Sequence, residues 1–402
     1  MARIPGANVV FLGNLLYPEG LAETKRFQHF IDGVLAGEGN SARILLLRQS
    51  HPGRDEARLA GEHGGVPYRT IGHDIGMNIR LPLALLRYLY GGCAYLWRSR
   101  RWGSRNVLFL YGEPSLESFL FVAWARLLGY RVVVDIVEDT YLVTATSSPA
   151  SRLKAWSVAW ATAHMHWFAD GVVVISSYLR EKLEGIVAGR VPVQLIPISV
   201  DLDRVAESAG GFHRPVRLLY AGSFGDKDGV LNLIAAFDEV AGQWPGIEFV
   251  MTGRGSPERM AAIRQRMAQS RFAGRIRYLG YLADDEYFRL ISDCDIPCVV
   301  RVPGEFADRG FPFKLGEYLA TGRPVVASRV SDVEVYLEDR VNAMLVEPGS
   351  VPGIVAAISY LLADEGRALA LGRAGRRVAV EHFSARNNGR RLLELIDRLE
   401  PA

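Results

Sequence analysis

Short apolar runs alternate with longer stretches of helical period along this chain, and the pattern is laid down twice with a break between. In the first half, runs at residues 9–12, 42–47, 106–111, 131–136 and 171–175 alternate with helical stretches at 24–36, 83–98, 115–128, 152–168 and 177–186. A strand buried on both faces reads as a continuous apolar run, and parallel neighbours need a connection long enough to hold a helix. This half therefore predicts an open parallel sheet with helices on both faces. Pro197 and the polar, glycine-containing residues 207–211 interrupt the pattern and mark a boundary. A second set follows, with runs at 217–220, 247–251, 276–279, 296–300 and 325–327 and helical stretches at 229–240, 257–269, 284–292, 313–320, 351–363 and 365–381. The expected fold class is α/β in two domains, residues 1–197 and 198–380, with 381–402 as a C-terminal helical segment. The length of 402 residues agrees with two domains.

Composition narrows the partners. The hydrophobic share of 49% and charged share of 23% are those of ordinary globular proteins. A net charge of +3 is too small to point to nucleic acid, and no such partner is expected. The cysteines Cys93, Cys294 and Cys298 make no disulfide framework and fit a reducing compartment. Cys294 and Cys298 have no matching pair elsewhere, so no metal site is expected. Residues 8–16 read as a first strand and its loop, not as a secretory leader, and no apolar run has membrane-spanning length. A cytoplasmic location is the expectation.

Residues 311–328, Phe-Pro-Phe-Lys-Leu-Gly-Glu-Tyr-Leu-Ala-Thr-Gly-Arg-Pro-Val-Val-Ala-Ser, carry the most chemistry. Pro312 fits the first turn of a helix and Gly322 its left-handed end, after which Val325 to Ala327 suit a buried parallel strand. Lys314 and Glu317, three apart, share one helix face near the N-terminus. Free N–H groups and the dipole attract phosphate there, Lys314 adds a point charge, and Glu317 can accept from two neighbouring hydroxyls such as those of a ribose. The plainer alternative is an amphipathic helix with Leu315 and Leu319 buried and both charges solvated.

Three strand-to-helix loops add to this. Tyr220-Ala-Gly-Ser-Phe-Gly-Asp-Lys-Asp-Gly-Val has Gly222 and Gly225 for close backbone approach and Lys227 within reach of a phosphate. Gly253 and Gly255 shape a second loop around Arg254, which reads equally as a phosphate ligand or a solvated charge. In the third, Gly280-Tyr281-Leu282, Tyr281 reads equally as a platform for a base or as packing. Open α/β sheets bind ligands where their strands end, so several such loops in order weigh more than any one.

The 311–328 segment closely resembles the nucleotide-sugar signature of retaining GT-B glycosyltransferases, glycosyltransferase family 4. The resemblance implies two Rossmann-like domains facing across a cleft and a C-terminal helix that crosses back to the N-terminal domain. It implies transfer of a hexosyl group from a nucleoside diphosphate sugar, UDP- or GDP-linked, to an acceptor hydroxyl, with no cofactor and no metal, in cell-surface polysaccharide or glycoconjugate synthesis. On the donor side it points to Gly222, Ser223, Gly225, Lys227, Gly253, Arg254, Tyr281, Arg309, Phe311, Pro312, Phe313, Lys314, Leu315 and Glu317. Glu317 matches the family's ribose-binding glutamate, and Lys227 and Lys314 would stabilise the departing diphosphate. The chain departs from the pattern three times, first in Lys227, which stands one residue earlier than the family's commonest spacing. Ser223 stands where many relatives have an arginine, and Arg309 stands where many have a second glutamate, with seven residues between it and Glu317. On the acceptor side the resemblance points to Gly13 and Gly20 after the first strand. Glu138 and Asp139, after the run at 131–136, are placed to orient an acceptor hydroxyl or, in the plainer reading, to cap a helix. His164 and His166, in an apolar helical stretch, read as core or interface residues.

Between Asp74 and Glu113 there are six arginines, Arg80, Arg87, Arg98, Arg100, Arg101 and Arg105, and no carboxylates. Tyr88, Leu89, Tyr95, Leu96, Trp97 and Trp102 are interleaved, and Trp156, Trp160 and Trp167 would share a helix face. A basic, aromatic, amphipathic stretch fits peripheral contact with an anionic membrane on its inner face and a lipid-linked carbohydrate acceptor. It equally fits a surface helix packed on the first sheet.

Overall fold

The computed structural model describes residues 6–20, 22–47, 59–72, 81–139, 149–304 and 310–399. The chain divides into two compact units, Met1–Pro197 with Asn388–Ala402, and Ile198–Asn387. Each is an α/β layer structure with a largely parallel, Rossmann-like sheet.

The first unit's strands are β1 (Ala7–Gly13), β2 (Ser41–Leu46), β3 (Ala60–His63), β4 (Val66–Thr70), β5 (Arg105–Tyr111), β6 (Arg131–Ile136), β7 (Gly171–Val174) and β8 (Val193–Leu195). They are ordered β3-β4-β2-β1-β5-β6-β7-β8, all parallel except the β3–β4 pair. Every residue of β1 is buried, as its uninterrupted apolar run requires. β1 pairs with β2 on one side and β5 on the other, so chain direction across the sheet reverses at β1 and its carboxyl end, Gly13, lies at a topological switch point. The helix Ala22–Leu35 covers one face, its Phe27, Phe30 and Val34 packing with Leu392, Leu395 and Ile396 of the last helix, Ala385–Arg398. These helices meet at glycines. A Cβ on Gly33 would stand 2.3 Å from the Gly389 Cα, a contact no side chain tolerates.

Arg26 and Asp135 form an ion pair at the centre of this unit, both side chains fully buried. Both guanidinium–carboxylate bonds are 2.9 Å, and the remaining donors reach the Pro197 carbonyl at 2.7 Å and the Ile196 carbonyl at 3.0 Å. A buried charge pair must have its other hydrogen bonds met, and here backbone carbonyls meet them.

The second unit's strands are β9 (Val216–Ser223), β10 (Ile247–Arg254), β11 (Ile276–Tyr278), β12 (Ile296–Val299), β13 (Val326–Ser328) and β14 (Met344–Val346), ordered β11-β10-β9-β12-β13-β14. Here β9 is the strand flanked by a reversal, with β10 to one side and β12 to the other. Its core is built from Leu218, Phe237, Phe249, Ile263 and Ile358, all fully buried.

The structure adds elements that apolar runs did not mark and shortens others. The β3–β4 hairpin extends the first sheet, β3 being exposed throughout and so lacking the pattern of a buried strand. The helix expected to reach residue 168 ends at Ala163, and a 3-10 turn, Met165–Trp167, follows. The His164 ring sits 4.7 Å from that of Trp160 and 4.3 Å from that of Trp167, an aromatic stack that accompanies the change of winding. The helix expected over 365–381 ends at Val378 and passes into a π turn, Ala379–Phe383, whose Phe383 packs against Phe311 and Tyr336.

Candidate functional site

The site begins with how the helix Lys314–Ala320 is fixed to β9. Tyr318, one turn into that helix, is buried, and its hydroxyl donates to the Ala221 carbonyl at 3.0 Å and accepts from the Ala221 amide at 2.8 Å. Burial holds this phenol neutral to well above its usual pKa, so both bonds persist at neutral pH. The clamp sets the N-terminal residues of the helix beside the carboxyl end of β9. Leu315 is fully buried core, and Gly322 closes the segment with φ +75°, the left-handed conformation expected of it.

On this frame Lys314 runs across Gly222, where a Cβ would come within 3.3 Å of the lysine Cε. Its ammonium lies 3.9 Å from a Glu317 carboxylate oxygen, 3.3 Å from the Tyr287 hydroxyl and 4.5 Å from the Tyr287 ring centre. Tyr287, buried on the helix Asp284–Ser292, donates its hydroxyl to the same Glu317 oxygen. Burial first, and the Glu317 charge second, push the Tyr287 phenol well above its usual pKa. The carboxylate is thus almost enclosed and held in one direction by a donor that burial keeps neutral.

The neighbouring loops are drawn together by register. Gly253 pairs with Gly222 across the β10–β9 ladder, and its φ of +132° is one only glycine readily adopts. A Cβ there would lie 1.7 Å from the Gly222 carbonyl oxygen. Its amide donates to the Gly280 carbonyl at 2.8 Å, and Thr252 Oγ1 donates to the same oxygen at 2.7 Å. Arg254 stacks over Tyr281, 4.8 Å from the ring centre, with Tyr281 55% exposed. Asp228 organises the loop after β9, accepting from Ser223 Oγ at 3.0 Å and from the Gly225 amide at 2.9 Å, with Arg301 Nε 3.6 Å away. Half-buried Lys227 lies in this loop, its carbonyl accepting from the Val302 amide at 3.1 Å.

The second unit therefore brings together Gly222, Gly253, Lys314 and Glu317, with Ser223, Gly225 and Lys227 in the adjoining loop and Arg254 and Tyr281 at its edge. Phe311 packs against Tyr336 and Phe383, and Leu315 is core, so the side chains of both serve packing. Pro312 accepts the Leu315 amide at 3.0 Å and, with half-buried Phe313, leads into the helix. Arg309 lies outside the described residues. Tyr287, Tyr318 and Asp228 were not singled out from the sequence. Tyr287 is brought to Glu317 across thirty residues and Tyr318 to Ala221 by sheet order, whereas Asp228 lies within the loop after β9 and is missed because its role is to order that loop's own backbone.

In the first unit, Asp139 is buried and accepts from Lys182 Nζ at 2.8 Å and from the Tyr178 hydroxyl at 3.0 Å. Glu138 beside it is exposed. Glu23 has a raised pKa through burial and the charge of Glu138. The Gly13 carbonyl accepts the Leu47 amide at 2.9 Å, and Gly20 faces Thr24, whose hydroxyl donates to the Leu16 carbonyl at 2.5 Å. Among the described residues, no cluster of His, Cys, Asp and Glu is arranged to hold a metal, and no helix is long and apolar enough to cross a membrane.

Comparison with known proteins agrees with this architecture. Residues 34–199 match the Glycosyl transferase 4-like domain and residues 215–364 match the Glycosyl transferases group 1 family. The chain is 29% identical over 188 residues to a phosphatidyl-myo-inositol mannosyltransferase of Mycolicibacterium smegmatis, covering 46% of this chain and 46% of that protein. It is 28% identical over 242 residues to a GDP-mannose-dependent alpha-(1-6)-phosphatidylinositol monomannoside mannosyltransferase of the same organism, covering 57% of this chain and 62% of that protein. The chain thus spans about half the length of the first of these relatives and less than two thirds of the second. In fold it is similar to Anabaena HepE in complex with UDP, with a TM-score of 0.72 at 15% identity, covering 98% of this chain and 100% of that one. The two matched domains, the paired parallel sheets and the 311–328 segment converge: the chain belongs to the family 4 type, group 1 glycosyltransferases of GT-B fold.

Proposed function

We propose that the chain transfers a hexosyl group, with retention and without a metal, from a UDP- or GDP-sugar to a hydroxyl of a carbohydrate or lipid-linked carbohydrate acceptor. The observation that carries this reading is the Lys314–Glu317–Tyr287 cluster over Gly222. It offers a pre-aimed carboxyl group for vicinal hydroxyls and a cation beside glycine backbone at the end of a switch-point strand. In this reading Glu317 holds the ribose, while Lys314 and Lys227 counter the charge that grows on the leaving diphosphate. The exposed Arg254–Tyr281 stack flanks the nucleoside. Buried Asp139, held by Lys182 and Tyr178, and exposed Glu138 beside it are the carboxylates assigned to orienting the acceptor hydroxyl. The relatives named as phosphatidylinositol-type mannosyltransferases, one of them GDP-mannose-dependent, support a sugar nucleotide donor and a lipid-linked acceptor.

Calorimetric titration of UDP, GDP and ADP, with Glu317→Ala as control, tests the donor site. Binding of one nucleotide, weakened about a hundredfold or more in the variant, is expected from losing a charged acceptor to two hydroxyls. Absence of binding by all three would overturn the reading. The anomeric configuration of the first product by NMR tests retention, and unchanged activity in EDTA tests metal independence.

A further inference from the structure

Most of the large apolar side chains that stand exposed among the described residues lie between Leu83 and Trp167. They are not scattered. In the helix Leu81–Ser99 the inward positions are Tyr88, Gly92, Leu96 and Ser99, all buried. The opposite stripe, Leu83, Leu86, Tyr90 and Trp97, is 50%, 64%, 73% and 63% exposed. In the helix Leu116–Leu127, Phe121, Val122 and Ala125 face in, whereas Leu116, Leu120 and Leu127 face out at 57%, 50% and 80%. In the helix Pro149–Ala163 and the turn after it, Leu153, Trp156, Trp160 and Trp167 face out. A helix in contact with water on its outer side carries polar residues there, and these three do the reverse.

The three stripes form one surface. The helices are successive crossovers from β4 to β5, β5 to β6 and β6 to β7, which step the same way across the sheet, so the right-handed rule puts all three on one face. They also touch in order. The Tyr88 ring is 5.4 Å from Phe121, Trp124 donates to the Cys93 carbonyl at 3.1 Å, and the Phe119 ring is 6.1 Å from Trp160. Trp97, Trp156 and Trp167 alone, each at least 60% exposed, present on the order of 400 Å² of aromatic surface, within the range of a monomer's largest apolar patch.

Charge identifies what covers this surface. Arg87, Arg98 and Arg152 are exposed on these helices and Arg101 just after the first of them, while Arg126 is paired with Asp170 at 2.8 Å. The sole carboxylate of the three helices is Glu117, which accepts from the Tyr88 hydroxyl at 2.7 Å. A second copy of the chain, docked by twofold symmetry on the same patch, would set these arginines against their own equivalents. Tryptophan, leucine and arginine with almost no carboxylate match the boundary of an anionic bilayer, where aromatic rings favour the headgroup level and cations meet negative lipid. We infer that the outer faces of these three helices together form a platform that seats on an anionic lipid surface. The inference extends the proposed lipid-linked acceptor, for it would hold the first unit where such an acceptor resides, but the platform does not depend on the identity of the sugar.

Flotation of the full chain with neutral phosphatidylcholine vesicles and with vesicles containing about a third phosphatidylglycerol tests it. The expected result is binding to the anionic vesicles, with a blue shift of tryptophan emission and weakening as salt is raised. The substitutions Leu86→Ser, Leu120→Ser and Trp156→Ser, all at exposed positions, should together reduce binding at least about tenfold with nucleotide binding unchanged. No flotation with either vesicle, or flotation that the triple variant retains in full, would overturn the platform. So would the patch being consumed in a dimer whose dissociation by the same substitutions is seen in sedimentation. Nucleotide titration needs no lipid and flotation needs no nucleotide, so failure of the platform and failure of the donor site are read separately.

Discussion

A carboxylate that is to hold a ribose must keep its charge and its direction before the ligand arrives. Glu317 is 8% exposed, and an unassisted carboxylate in that setting would pay heavily in lost solvation. Tyr287 answers this by donating to it, and its own elevated pKa keeps the phenol neutral through the physiological range. Lys314, at 3.9 Å, supplies the opposite charge. The spacing of Lys314 and Glu317 was legible in the sequence as one helix face. Tyr287 was not, because thirty residues and a strand separate it from Glu317. Tyr287→Phe keeps the ring and removes only the donor. It should weaken nucleotide binding about tenfold, the scale of one hydrogen bond to a charged group. Since the ribose contact is shared by ground and transition states, KM for the donor should rise while kcat changes little. Calorimetry and steady-state kinetics check this, and a loss of thermal stability with unchanged KM would leave Tyr287 a packing residue.

Strands that read as continuous buried apolar runs announced themselves, and an exposed strand did not. The β1 run could be read from residues 9–12 because every side chain in it is buried, whereas β3, with Ala60, Gly61, Glu62 and His63 all exposed, carries no such pattern. Helix ends were legible where a residue type dictates the backbone, as at Gly322, and illegible where tertiary stacking does, as at His164. The last helix shows the same divide. Its amphipathic period was plain, but nothing in the sequence revealed that Gly389 faces Gly33. The pair lets two backbones meet, since a Cβ on Gly389 would stand 2.5 Å from the Gly33 Cα. Gly389→Ala should therefore push the helix Ala385–Arg398 outward and loosen Leu392, Leu395 and Ile396 in the core. The expected loss is about 1–3 kcal/mol, the usual range for overpacking, despite alanine's better helix propensity. Chemical denaturation followed by circular dichroism measures it. A stabilised variant would show that the two helices separate without penalty.

At the scale of the whole molecule, both units depend on phenols that stay neutral. In the first unit, burial as the main cause raises Tyr17 and Tyr95 to about 12, and Tyr111 and Tyr130 are raised as well. In the second unit, Tyr220, Tyr287 and Tyr318 are raised well above 10, again chiefly by burial. In the unfolded chain all of them titrate near 10. Below that pH both states are protonated and the stability is fully present. Above it the unfolded chain releases protons that the folded chain keeps, so stability falls as pH rises from about 10 through 12. The melting temperature should accordingly hold steady to about pH 9 and then drop steeply, in both units, because each has several such groups. The drop should also carry a functional signature. Ionising Tyr287 would set a phenolate against Glu317, and its raised pKa defers that event beyond the onset of unfolding. Nucleotide affinity should therefore persist until the second unit itself melts, with no separate titration near pH 10. Calorimetric titration at successive pH values beside thermal melts distinguishes the two. A fall in affinity near pH 10 with the fold intact would place Tyr287 in water and undo the account of how Glu317 is held.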